Sequence, residues 1–119
     1  MNKFKELVVW QKSIDLTIFI YSLTNRFSKK EEFTLVSQIN RACISIASNI
    51  AEGAGRNSKK EFYNFLGISV GSSFEPETQL IISHRLNYIE TESCNKATLL
   101  INEIQNMIFK LQKTLQPNT

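Results

Sequence analysis

The chain has 119 residues, an apolar content of 42% and a formal net charge of +3. That length suits one domain with one core, and the composition excludes a chain that stays disordered. The charge is too mild to establish a nucleic-acid partner, so its distribution along the fold has to carry that argument.

The N-terminus M-N-K-F-K-E-L-V-V-W carries lysines, but Gln11, Lys12 and Asp15 cut its apolar run short of a signal-peptide core. No stretch reaches the roughly 18 apolar residues of a membrane span. Cys43 and Cys94 are far apart with no CxxC spacing, and both read as reduced, buried residues; a disulfide between them is the alternative. A cytoplasmic protein with no membrane partner is expected.

Only four Gly and two Pro interrupt the chain, and period 3.6 dominates its apolar pattern. The first helix is expected over about 7–26, with Trp10, Ile14, Ile18 and Tyr21 along its seam. The second is expected over 29–54 and carries Leu35, Ile39, Ala42, Cys43, Ile46 and Ile50. The third, 59–86, carries Phe62, Phe65, Leu66, Ser69, Val70, Ser73, Leu80 and Ile81. The fourth, 92–115, carries Leu100, Ile104, Met107, Ile108, Leu111 and Leu115. The tetrapeptide S-K-K-E occurs at Ser28–Glu31 and again at Ser58–Glu61, and reads as two capping boxes that start the second and third helices. Four helices with short links predict an all-α, antiparallel up-down-up-down bundle.

Pro76 breaks the local rules, because inside a helix it removes the bond to the Ser72 carbonyl at a cost on the order of 3 kcal/mol. The apolar period nevertheless resumes in phase at Leu80 and Ile81. A kinked but single third helix is expected, with a loop at Ser72–Pro76 as the alternative. The first helix is apolar on most of its circumference from Leu16 to Leu23, and the third points aromatics in several directions from Phe62 to Ile68. Such helices must be buried on more than one side, which predicts that copies of the chain cover one another.

Catalysis finds little support. His84 is the single histidine, too few for a di-iron carboxylate bundle, and Cys/His metal spacing, a P-loop and a dinucleotide fingerprint are all missing. A non-enzyme without cofactor or metal is expected.

The second helix is more informative. Gln38, Arg41, Ser45, Ser48, Asn49, Glu52 and Arg56 fall within about a 100° arc of it. A solvated face would use Lys, Glu and Gln, because Ser and Asn are poor interior helix formers. Small residues flanked by Arg41 and Arg56 instead suit close approach of another helix, at an interface or lining a pore, with Glu52 pairing Arg56 one turn on. Gly53 and Gly55 are expected to stop the helix near its C-cap.

Charge placement adds a second clue. In an up-down bundle the chain termini and the link between the second and third helices share one end. That end collects Lys3, Lys5, Arg56, Lys59, Lys60, Lys110 and Lys113 against Glu6, Glu52 and Glu61. Lys110 and Lys113 suit the C-terminal dipole of the fourth helix, but Lys59 and Lys60 occupy a first turn, where positive charge is disfavoured. An oligomer would repeat these lysines around its axis as a phosphate-facing surface.

The run S-Q-I-N-R-A-C-I-S-I-A-S-N-I-A-E-G-A-G-R, Ser37 to Arg56, resembles the hallmark of the four-helix-bundle proteins encoded in 23S rRNA intervening sequences. V-V-W-Q-K (Val8 to Lys12), E-F-Y-N-F-L-G-I-S-V-G-S (Glu61 to Ser72) and E-T-Q-L (Glu77 to Leu80) resemble further signatures of that family. Pro76 stands where a leucine-like residue is usual, and Cys43 replaces a small aliphatic one. The resemblance implies an antiparallel four-helix bundle assembled into a ring, a pentamer. It also implies similarity to the accessory protein of diversity-generating retroelements, a basic ring that works with RNA and a reverse transcriptase. It brings no catalytic residues. The expected function is a ring-forming RNA-binding or RNA-processing accessory factor; the alternative is a scaffold that docks another protein.

Overall fold

The computed structural model describes residues 3–116. Four α-helices carry the fold: α1 Val8–Thr24, α2 Ser37–Ala54, α3 Lys59–Arg85 and α4 Thr91–Leu115, with no strand among the described residues. A 3-10 turn, Phe4–Glu6, leads into α1. A second, Lys29–Glu31, and a π-helical turn, Glu32–Val36, lead into α2. None of these helices is long and apolar enough to cross a membrane.

The core runs the length of the molecule, which measures 48 × 22 × 20 Å. Leu16 and Ile20 of α1, Ile39, Ile46 and Ile50 of α2, Leu66 and Leu80 of α3, and Ile101, Ile104 and Ile108 of α4 are all buried within it. Burying each such side chain stabilises the fold by about 1.5–3 kcal/mol. Cys43 and Cys94 are both free and buried.

The inward face of α1 differs from the expected seam. Val9, Ser13, Leu16, Ile20 and Leu23 point inward, whereas Ile18 and Tyr21 are exposed. An apolar band that circles a helix has no preferred face of its own, so the neighbours choose it.

The two S-K-K-E segments also behave differently. At Ser58 the Glu61 amide donates to the serine hydroxyl at 3.1 Å, and α3 starts there. At Ser28 no side-chain cap forms, and the chain takes the 3-10 and π turns before regular α-helix begins at Ser37. The Glu31 carboxylate is engaged elsewhere: Thr34 Oγ1 donates to it at 2.9 Å and Tyr88 Oη at 3.0 Å.

α3 passes through Pro76 as one helix, and Pro76 itself is fully buried. Three residues before it, Ser73 donates to the Val70 carbonyl and accepts from Gln105 Nε2 at 3.0 Å. One residue after it, Glu77 accepts from Gln105 Nε2 and from Asn102 Nδ2, both at 3.0 Å. The polar groups beside the proline are thus tied across to α4.

α3 closes with a Schellman motif that sequence reading missed. The Tyr88 amide donates to the Ser83 carbonyl at 2.9 Å and the Asn87 amide to the His84 carbonyl at 3.0 Å. Asn87 takes φ 64°, the left-handed conformation this motif requires. His84 Nε2 then lies 2.8 Å from Thr91 Oγ1, joining the end of α3 to the start of α4.

Candidate nucleic-acid interface

At the start of α3, the Ser58 cap and the helical turn set Lys59 and Lys60 on the first turn, with Tyr63 and Asn64 one turn later. The last turns of α4 lie alongside. Gln112 Nε2 donates to the Tyr63 carbonyl at 3.2 Å, and Gln116 Nε2 donates to Tyr63 Oη at 3.2 Å. Between the two helices runs a groove of about 1070 Å³ lined by Lys59, Lys60, Tyr63, Asn64, Lys113, Thr114, Leu115 and Gln116. Among the described residues its lining holds three lysines and no carboxylate.

Of the basic residues expected at this end, the structure brings Lys59, Lys60 and Lys113 into the groove. Lys3, Lys5 and Lys110 are exposed but do not line it. Arg56 does not line it either. Its guanidinium pairs with Glu52 at 2.9 Å and with Glu61 at 3.7 Å, and lies 4.9 Å from the centre of the Phe65 ring. Among the described residues, Lys59, Lys60 and Lys113 have no such carboxylate partner. Tyr63, Asn64 and Gln116 were missed by sequence reading, although each follows one of those lysines by one helical turn.

The polar stripe of α2 divides in two. Ser45 Oγ lies 2.9 Å from Ser72 Oγ, Asn49 Nδ2 donates to Ser45 Oγ at 3.0 Å, and Gln79 Nε2 donates to Gln38 Oε1 at 3.4 Å. Ser69 of α3 donates to the Ile46 carbonyl at 2.8 Å. Ser45 therefore serves the packing of α2 against α3 within one chain, Asn49 bonds back to Ser45 on α2 itself, and Gln38 reaches Gln79 at the exposed edge. Arg41, Ser48 and Glu52 stay exposed.

Gly53 belongs to the same packing and does not stop the helix. It is buried inside α2, beneath Phe62 and Phe65. Gly55 follows the helix at φ −79°, its amide donating to the Ala51 carbonyl at 3.0 Å, so left-handed freedom is not what it supplies.

Residues 5–110 match the model of a family described as 23S rRNA-intervening sequence protein. A crystal structure of a protein with unknown function, from the S23 ribosomal protein family of Bacteroides thetaiotaomicron, is similar at 29% identity and a TM-score of 0.83. The likeness covers 89% of this chain and 99% of that one. No curated protein matches the chain. With nearly its whole length matched, the chain belongs to the 23S rRNA-intervening sequence protein family.

Proposed function

We propose that this chain is a non-enzymatic accessory protein that binds RNA at its basic bundle end and works as a homo-oligomeric ring in the cytoplasm, with five copies as the expected size. The observation that carries the RNA reading is the meeting of Lys59, Lys60 and Lys113 in one groove with no carboxylate among its described lining residues. Like charges brought together in this way are destabilising until an anion joins them. Phosphates are the anions that RNA supplies along its whole length.

The helices are read as an antiparallel up-down-up-down bundle. Along α2, Gln38, Ser45 and Gly53 meet Gln79, Ser72 and Phe65 of α3 in turn. Along α3, Tyr63, Ser73 and His84 meet Gln116, Gln105 and Thr91 of α4. That order supports an end where the start of α3 and the finish of α4 share their lysines.

Self-assembly is supported by large apolar side chains left in solvent, among them Ile18 at 65%, Leu99 at 71% and Phe33 at 86% exposure. Side chains of this kind are the usual material of interfaces. Light scattering at micromolar concentration should give a multiple of 13.7 kDa, and a particle of 13.7 kDa would overturn the ring.

Replacing Lys59 and Lys60 with Glu should weaken RNA binding and flatten its salt dependence. Affinity unchanged across salt would remove this surface from consideration, and recovery of only background RNA after crosslinking in cells would remove RNA itself. The exposed apolar side chains also favour a second reading, a scaffold that docks another protein. A pull-down that survives nuclease and returns one stoichiometric protein would favour that reading.

A further inference from the structure

We infer that the groove between α3 and α4 takes a single strand of nucleic acid, its phosphates along Lys59, Lys60 and Lys113 and one base against the ring of Tyr63. The inference rests on the RNA-binding reading above and narrows it to a class of ligand.

Three properties of the groove select a single strand. The first is its charge, supplied by lysines from two different helices with no carboxylate among the described lining residues. Lys59 and Lys60 also sit on the positive end of the α3 dipole, where an anion is favoured and a cation is not. The second is the aromatic ring. Tyr63 lines the groove, and its ring is held by Gln116 Nε2, which donates to the hydroxyl at 3.2 Å. A ring already fixed in place loses little freedom when a base stacks on it. The third is the amide groups of Asn64 and Gln116 beside that ring, which can donate to and accept from a base edge.

A duplex cannot offer a base face to the ring, because its bases are stacked inside. It would meet the lysines and the amides without the ring. A splayed strand meets the lysines and the ring together, the combination by which single strands are held elsewhere. The groove, at about 1070 Å³, lies just above the roughly 300–1,000 Å³ typical of small-molecule sites, room for a strand to pass through.

The test measures binding of a labelled oligouridine, alone and paired with its complement, by fluorescence anisotropy on the full chain. The single strand should bind more tightly than the duplex. Tyr63→Ala should weaken the single strand about 5- to 150-fold, the range that loss of one stacked base implies, and leave the duplex unchanged. Tyr63→Phe, which keeps the aromatic face and loses the bond from Gln116 Nε2, should lose far less than Tyr63→Ala, and Tyr63→Leu, which keeps bulk without an aromatic face, should fall with Tyr63→Ala. Circular dichroism melting of each variant shows that the fold is retained. Equal affinity for duplex and single strand, or no loss in both Tyr63→Ala and Tyr63→Leu, overturns the inference. The RNA-binding reading survives that result if Lys59→Glu with Lys60→Glu still weakens binding. If neither form binds in a salt-dependent way, the RNA reading itself falls. Tighter binding of polyglutamate than of the oligouridine would make an acidic polypeptide the occupant and overturn the inference too.

Discussion

A Cβ built on Gly53 of α2 would lie 2.6 Å from the Cβ of Phe65 on α3, so the two helices meet there with no room for a methyl group. The obstructing atom is attached directly to the α3 backbone and cannot rotate away. Two turns before Gly53 the same contact continues, with Ser45 Oγ 2.9 Å from Ser72 Oγ. The polar stripe that first suggested a neighbouring subunit is in part the seam between two helices of one chain.

Gly53→Ala should therefore destabilise the protein even though alanine is the better helix former. Overpacking costs about 1–3 kcal/mol, against a propensity gain of about 1 kcal/mol. A net loss of up to about 2 kcal/mol in urea unfolding is the expected outcome. Ser48→Ala, on the exposed side of the same helix, should change stability by less than about 0.5 kcal/mol. Equal effects from the two would remove the close approach as the reason for Gly53.

Glu52→Gln tests the other half of the stripe. The Glu52–Arg56 pair is about half exposed in a single chain, so its loss should cost less than about 0.5 kcal/mol at protein concentrations too low for assembly. A clearly larger cost in the assembled protein would mean that another copy covers the pair. Urea unfolding across a dilution series separates the two cases.

Asn87 is the single described residue other than glycine with positive φ, at 64°. Asn87→Gly should be neutral or slightly stabilising. Asn87→Val should cost about 1–2 kcal/mol, because a β-branched side chain is strained in the left-handed region. Thermal melting of the two variants side by side checks the difference.

Burial pushes the Cys43 thiol up from 9.0 to about 12. The folded state thus holds this proton more tightly than the unfolded state does. Its contribution to stability is complete below pH 9.0 and is lost as the pH rises toward about 12. Cys43→Ala should remove that part of the alkaline decline, seen as a shallower fall in urea midpoint across the window. In the native protein Cys43 should react with a thiol reagent at pH 8 only as fast as the fold opens, because the thiolate is the reactive form.

Features that depend on a few consecutive residues were legible in the sequence. The Ser58 cap, the passage of one helix through Pro76 and the Glu52–Arg56 pair all follow from local spacing, as did the four-helix count from apolar period. The groove was legible only in part. Its lysines stood out by charge, but Tyr63, Asn64 and Gln116 looked like ordinary helix residues until α4 was laid beside α3.

The sequence by itself determined the helical class, the start of α3 and the family, since each is written in local chemistry or in a run of residues long enough to be specific. Only the tertiary structure decided which side of α1 turns inward, with Ile20 buried and Ile18 exposed, because an apolar band around a helix offers no face to choose. Tertiary contact also decided the fate of the two S-K-K-E segments. Glu31 is held by Tyr88, 57 residues away, and no local rule anticipates a competitor at that distance. Gly53 carries the same lesson, as its missing side chain acquires a reason only when Phe65 arrives opposite it.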